Sequence, residues 1–329
     1  MTLWPSIAGL TNGHWAVCHS VNADAQTTIA NLWHTRAMRW TDKGRSKNLE
    51  DRRGARASGG KGVKGKLGAG TIVIVLIAAV LGRTDLLETF GIGGGGGGGG
   101  GQASSQQTNA PAQSSPEDEK SMRFLSFLID DMETVWTKRL SSGSTPYEAP
   151  VLVVFRNGVD SACGFASSAT GPFYCPGDHK LYLDTAFFDD LAVRFKAAGD
   201  FAQAYVVAHE VGHHLQTLLG TSKRMRRAQA ATPSRKNELS VLLELQADCY
   251  AGIWAHDAAK RNLLETGDLR EALTAAMAIG DDTLQKQATG KVRPESWTHG
   301  SSAQRREWFQ RGYDQGSVPS CNTFANEGI

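Results

Sequence analysis

Residues 201–220 read FAQAYVVAHEVGHHLQTLLG, and this stretch decides how the rest of the chain is interpreted. Its apolar residues recur at helical spacing, and Gly220 is a typical C-terminal stop, so the stretch predicts an amphipathic helix. His209 and His213 are four positions apart and share one helix face, where both imidazoles can bind one zinc ion. Glu210 lies beside that site and is the expected general base for an activated water.

The third zinc ligand is expected on a second helix, Leu239–His256, which reads LSVLLELQADCYAGIWAH. A catalytic zinc usually has three protein ligands and one open position, and no H-x-x-G-x-x-H pattern continues after His213. Glu244 and Asp248 share one face of the second helix among apolar neighbours, and buried carboxylates need a partner. We expect Glu244 to bind zinc and Asp248 to hydrogen-bond a ligand histidine. The alternatives are a solvated acidic face for this pair, and a packing or surface role for His214.

The rest of the predicted folded domain, 116–329, combines a small sheet with helices. A helix is expected to begin at Ser115-Pro116, and Val151–Phe155 reads as a short buried strand. Phe173–Cys175 and Leu181–Leu183 flank a Pro-Gly-Asp turn and predict a β-hairpin. A small sheet followed by helices predicts an α+β fold.

The chain ahead of residue 116 has an uneven composition. The 37 glycines include the run Gly93–Gly101, and we interpret 83–115 as a Gly/Ser/Gln-rich linker. Residues 1–37 show no clear pattern and are interpreted as a non-native or disordered leader, with Met38 as the natural start. Overall composition excludes collagen, coiled-coil and wholly disordered classes.

A basic segment and an apolar segment predict a membrane anchor. Residues 38–66 carry ten basic and three acidic side chains, and 67–82 read LGAGTIVIVLIAAVLG, without a charge. We predict a single transmembrane helix at 67–82 in a cell inner membrane, with 38–66 cytoplasmic and the domain periplasmic or extracellular. The alternatives for 67–82 are a buried strand, a core helix or a cleaved signal peptide. A nucleic-acid tail is the other interpretation of 38–66, but we expect no nucleic-acid partner, because the charges explain membrane topology.

Four cysteines lie beyond the predicted anchor. Cys163–Cys175 would close a short loop, and Cys249–Cys321 would tie a helix to the C-terminal tail, as an oxidising compartment permits. Four free buried thiols are the alternative. No C-x-x-C occurs, so a zinc ribbon is not predicted.

HEVGH followed by Glu244–Asp248, of the form E-x-x-A-D, resembles the gluzincin metallopeptidases, which have a thermolysin-like ligand set. The chain resembles more closely the bacterial putative neutral zinc metallopeptidase family over about 38–329. The segments that carry this resemblance are Met38–Trp40, Asn48–Gly54, Ser161–Ala166, Gly171–Pro176 and Glu244–His256. It implies a mostly helical zincin-like domain, a start at Met38, one Zn²⁺ per chain and a peptide or protein substrate.

His299 is a further catalytic candidate. Thr298–Arg305 is similar to a Thr-His-Pro…Arg segment of membrane-bound zinc peptidases, which implies that His299 donates a hydrogen bond to the developing oxyanion. The alternative is a histidine of a capping loop, because Thr298 or Ser301 is expected to open the next helix. Tyr182 is a further candidate for the cleft wall.

These observations predict a membrane-anchored zinc metallopeptidase that hydrolyses peptide bonds with a zinc-activated water and Glu210 as base. The alternative is a zinc-stabilised, membrane-tethered binding or scaffold module without turnover. An intact Glu210 argues against that alternative, because a structural zinc site needs no base and usually has four protein ligands.

Overall fold

Six strands and eight α-helices make up the part of the chain that the computed structural model describes, which is residues 38–55, 115–141, 143 and 145–327. The strands are β1 (Leu49–Asp51), β2 (Val151–Phe155), β3 (Gly158–Ser161), β4 (Gly164–Ser167), β5 (Phe173–Cys175) and β6 (Lys180–Asp184). The helices are α1 (Pro116–Leu140), α2 (Ala186–Val193), α3 (Asp200–Leu218), α4 (Thr221–Ala231), α5 (Lys236–Lys260), α6 (Asp268–Ala278), α7 (Asp281–Thr289) and α8 (Ser302–Gln315). The domain is therefore mixed α/β and mostly helical. The predicted leader 1–37 and the predicted anchor 67–82 lie outside the described residues.

The larger sheet has the strand order β1-β2-β6-β5. β1 and β6 both run parallel to β2, while β5 is antiparallel to β6 and forms the predicted hairpin with it. Alternate residues of β2 face opposite sides, as the period of a strand requires. Leu152 and Val154 join the main core, whereas Val153 and Phe155 join a smaller cluster beneath the β3–β4 hairpin.

Residues 38–55 pack against the rest of the described chain. Met38 is buried in the main core, and β1 pairs in register with β2. Three basic side chains of this segment pair with acids of α1. The ion pairs are Arg45–Glu119 at 2.9 Å, Lys47–Glu133 at 3.3 Å and Arg53–Asp118 at 3.4 Å.

The transmembrane helix in the predicted fold class needs correction. Within the described ranges, no helix is long and apolar enough to cross a membrane.

Three helices of the core cross closely because glycine stands at each crossing. A Cβ atom added to Gly212 of α3 would lie 2.9 Å from the Ala247 backbone of α5. At the crossing of α5 and α8, a Cβ atom on Gly252 would lie 2.0 Å from the Phe309 carbonyl oxygen. A Cβ atom on Gly312 would lie 2.0 Å from the Cys249 carbonyl oxygen. Both distances are far below van der Waals contact, so no larger residue fits without separating the helices.

Both predicted disulfides are present. Cys163–Cys175 joins the turn of the β3–β4 hairpin to the end of β5. Cys249–Cys321 joins the middle of α5 to the short 3-10 turn Val318–Cys321. The first bridge braces one wall of the cleft described below, and the second fixes the C-terminal segment to the helix that carries Glu244.

Candidate metal centre

The crossing of α3 and α5 brings His209, His213 and Glu244 together. The His209 Nε2 atom lies 3.2 Å from one Glu244 carboxylate oxygen, and the His213 Nε2 atom lies 3.5 Å from the other. Ligand atoms bound tetrahedrally to zinc at about 2.0–2.2 Å lie about 3.3–3.5 Å from one another. The three residues therefore suit a zinc ion in chemical type, and the spacing of each histidine from the Glu244 carboxylate suits it as well.

His209 is oriented by a buried network around Asp248. The His209 Nδ1 atom lies 2.8 Å from Asp248 Oδ1, which also accepts a 2.6 Å hydrogen bond from the Tyr205 hydroxyl. Arg305 of α8 donates to both Asp248 oxygens, at 2.9 and 3.0 Å. With its proton on Nδ1 facing Asp248, His209 keeps the Nε2 lone pair for a metal.

His213 is oriented by Gln216, one turn further along α3. The Gln216 side-chain oxygen lies 3.0 Å from His213 Nδ1, and its amide nitrogen donates to the Leu243 carbonyl at 2.6 Å. Gln246 continues the chain of hydrogen bonds, since it accepts from Gln216 at 3.2 Å and donates to the Cys321 carbonyl at 3.0 Å. Both glutamines are buried, so the orientation of His213 depends on the α3–α5 contact and on the C-terminal segment.

Electrostatics keep the carboxylates of this site ionised. Burial would raise the pKa of Asp248, but Arg305 and His209 outweigh it and lower that pKa to about 2. Burial acts in the same direction on Glu244, but His213 and His299 hold the pKa of Glu244 well below its usual range. Burial lowers the pKa of His209, but the adjacent Asp248 carboxylate outweighs burial and raises it to about 9. Glu244 and Asp248 are therefore both ionised, and the charge of each carboxylate is balanced by the cationic and histidine side chains around it.

Glu210 and His299 both line a cleft of about 610 Å³ that also contains the three candidate ligands. Its outer wall includes the β3–β4 hairpin, where the Phe165 side chain is 46% exposed. Residues 170–174, which lead into β5, and Met225 of α4 also line the cleft. The cleft is thus open and largely apolar, with its polar groups gathered at the candidate metal site.

His299 is held by a buried carboxylate on α7. Asp281 accepts hydrogen bonds from the backbone N–H groups of Thr298, His299 and Gly300, at 2.7, 2.6 and 3.1 Å. The His299 Nδ1 atom lies 2.9 Å from the Thr298 hydroxyl and 3.6 Å from Asp281. These contacts occupy Nδ1 and leave Nε2 as the ring atom available to the cleft. Ser301, with Gln304, forms the capping box that opens α8.

Two other side chains considered in the sequence lie outside the centre. His214 is buried against Tyr174 and the Glu148 carbonyl, and burial lowers its pKa to about 4, so it is a neutral packing histidine. The expectation that Tyr182 lines the cleft is wrong, because its ring is buried under β5 and its hydroxyl donates to Asp178 at 2.7 Å.

Sequence reasoning missed four residues that orient the site. Tyr205 lies four positions before His209 on α3, and Gln216 lies three positions after His213, so helical spacing could have indicated both. Arg305 and Asp281 carry no such signal, because each meets the site only through the packing of α7 and α8 against α5.

Comparison with known proteins agrees with this geometry. The family model described as "Putative neutral zinc metallopeptidase" matches residues 38–324. The chain belongs to this family. It is 43% identical over 291 residues to the uncharacterized protein YpfJ of Escherichia coli K12, covering 87% of this chain and 99% of that protein. It is 46% identical over 208 residues to the uncharacterized protein Rv2575 of Mycobacterium tuberculosis H37Rv, covering 60% of this chain and 68% of that protein. No solved structure matches the chain.

The family match confirms the resemblance that the sequence motifs indicated. The match begins at Met38, which agrees with the packing of residues 38–55 into the domain. The three-residue cluster of His209, His213 and Glu244 is accordingly the candidate zinc site of this family member.

Proposed function

We propose that this protein is a zinc-dependent endopeptidase, with zinc held by His209, His213 and Glu244. The observation that carries the proposal is the convergence of two histidine rings on one carboxylate inside an open cleft, with the Nε2 atoms 3.2 and 3.5 Å from the two Glu244 oxygens. Three protein ligands leave one position for a reacting group, as catalytic zinc sites do and structural sites do not.

When bound, zinc would supply Lewis acidity to water and to the scissile carbonyl. Glu210 follows the first ligand in sequence and lines the same cleft, so it is placed to accept a proton from the attacking water. It would then pass that proton to the leaving amine, which completes a general base and general acid cycle.

The surrounding residues hold these groups in place. Asp248, Tyr205 and Arg305 fix the ring of His209, and Gln216 fixes the ring of His213. His299, positioned by Asp281, would donate from Nε2 to the developing oxyanion. The open apolar cleft favours an extended peptide over a small polar substrate, because such a chain can bury side chains along its walls.

Metal content tests the proposed ligands. The purified wild-type protein should hold about one zinc ion per chain, and Glu244→Ala should lower zinc affinity at least about 100-fold, because one of three ligands is removed. Glu238→Ala is the matched control on the same helix, since that carboxylate is exposed and pairs with Arg235 at the surface. Equal zinc affinity in Glu244→Ala and wild type would contradict the proposal.

A further inference from the structure

A second cluster of acids lies at the beginning of α3, away from the candidate zinc site. Carboxylate oxygens of Asp200, Asp268 and Glu271 all lie within 4.8 Å of one another. Asp268 is 1% exposed, and one buried Asp200 oxygen has no hydrogen-bond partner. Among the described residues, no lysine or arginine lies within ion-pair distance of the cluster, and Lys120 and Arg270 act on it only from farther away.

The helix end alone does not neutralise these acids. The Phe201 N–H group donates to Glu271 at 3.2 Å, which uses one of the free donors in the first turn of α3. Even so, burial raises the pKa of Asp268 to about 6 and that of Glu271 to about 7. Asp268 is buried and the other two acids are partly buried, so a compact cationic group in this position would remove much of the cost of bringing the three carboxylates together.

The backbone conformation at Gly199 leaves space for the Glu271 carboxylate. Gly199, which precedes α3, has a φ of +126°, and a Cβ atom there would lie 2.0 Å from a Glu271 oxygen. Only glycine adopts this conformation readily and leaves that space. The Glu271 carboxylate therefore lies directly over the chain at the start of the helix.

The group that lies against the cluster is the backbone nitrogen of Met38, which donates a hydrogen bond to the Asp200 carboxylate. The Met38 side chain is 2% exposed in the main core. The Arg39 N–H group donates to the Leu263 carbonyl at 2.7 Å, and its guanidinium pairs with Glu265.

Trp40 completes this docked segment. Its ring packs on Phe124 and Phe127 of α1, with ring centroids 5.5 and 6.1 Å apart. Residues 38–40 are thus held by backbone, charged and aromatic contacts at once, and the Met38 nitrogen has a fixed place beside the acids.

We propose that the acidic cluster is a binding site for the α-ammonium group of a chain that begins at Met38. A peptide nitrogen at this position is neutral and has one hydrogen to donate. An α-ammonium carries a positive charge and three hydrogens, which suits three converging carboxylates. The family match also begins at this residue. The site joins the N-terminus to the first turn of the helix that carries His209 and His213, and it does not depend on the proposed peptidase activity.

Three chains test this proposal: the full chain from Met1, a chain from Met38, and a chain from residue 37 with Ala37→Met. The compact unit Ala37–Ile329 contains all the described residues, so both shorter chains include every described helix and strand. The chain from residue 37 is the matched control, because its α-ammonium is displaced by one residue, about 3.8 Å. Mass spectrometry establishes that each α-amine is free.

The chain from Met38 should melt at least about 3 °C above the chain from residue 37 at pH 7, as a newly paired buried charge predicts for a domain of this size. Its α-amine should acylate more slowly and titrate above the ordinary value of about 8. Glu271→Gln should reduce both differences, whereas Glu307→Gln, an exposed acid on α8, should not.

Equal melting temperatures and an ordinary α-amine in both short chains would overturn the proposal. So would calcium stabilising all three chains equally through Glu271, because the cluster would then be a site for a metal cation.

Discussion

Asp248 shows how much of this site depends on one buried carboxylate. It receives hydrogen bonds from Tyr205 and Arg305 and faces the Nδ1 atom of His209, although it is fully buried. Removing one partner from such a network leaves a charge buried without compensation, which costs more than the pair contributes. The orientation of the first zinc ligand is therefore coupled to α8, which carries Arg305 and none of the three candidate metal ligands.

At the same scale, His299→Ala tests the proposed oxyanion donor. Because Nε2 is the free ring atom in the cleft, we expect kcat to fall by about 100- to 1,000-fold with little change in KM. Zinc content and melting temperature should stay close to wild type, since Asp281 can still accept from the backbone of residues 298–300. A wild-type kcat in this variant would leave His299 as a residue of the capping loop only.

Much of the zinc site could be predicted from sequence because its signals are local to two helices. The spacing of His209 and His213, and of Glu244 and Asp248, is a property of helix geometry alone. Arg305 could not be assigned in this way, since its contact with Asp248 spans 57 residues and depends on a helix crossing.

At the scale of elements, the glycine at the crossing of α3 and α5 sets the distance between the two helices that carry the candidate zinc ligands. Gly212 lies inside HEVGH and touches Ala247, which lies between Glu244 and Asp248 in α5. The motif therefore positions its own third ligand through close packing as well as providing two histidines.

Gly212→Ala should separate α3 from α5 and weaken zinc binding. The added methyl group meets backbone atoms, which cannot move aside as a flexible side chain can, so we expect a loss of about 1–3 kcal/mol in stability. Chemical denaturation and zinc titration measure the two effects. Gly54→Ala is the matched control, because a Cβ at that position meets open space. Equal zinc affinity in Gly212→Ala and wild type would contradict this role for the crossing.

Sequence patterns predicted the long helices and the β5–β6 hairpin well, because periodicity and turn residues act over short distances. They failed for β1, a strand of three residues that lies between Arg45 and Arg53, and both of these arginines pair with acids on α1. The number of charged residues in a segment does not show where in the fold their ion-pair partners lie.

At the scale of the whole molecule, residues 38–55 and the C-terminal segment both close onto the same core. The first does so through β1 and Met38, and the second through the Cys249–Cys321 disulfide. Disulfides of this kind are typical of proteins from oxidising compartments. Both ends of the described chain therefore reach the helices that carry the candidate zinc site.

Stability should depend on pH through the acidic cluster. Carboxyl groups with raised pKa values bind more protons in the folded than in the unfolded state, so stability falls as pH rises from about 4 to about 7. This fall should be clear in the chain from Met1 and smaller in the chain from Met38, where the ammonium compensates the acids. The other charged groups around the cluster, Lys120, Arg270 and Glu265, are common to both chains.

Melting temperatures recorded between pH 4 and pH 8 measure this difference. Parallel curves for the two chains would contradict a role for the Met38 ammonium.

The most direct test of the central claim is peptide cleavage by zinc-loaded wild type and Glu210→Gln, measured on a proteome-derived peptide library by mass spectrometry. Glu307→Gln serves as the control for loss of one carboxylate. We predict that Glu210→Gln keeps about one zinc per chain and loses cleavage at least about 100-fold, because the water lacks its base. Cleavage by Glu210→Gln at the wild-type rate, or no cleavage of any peptide by the zinc-loaded wild type, would contradict the account.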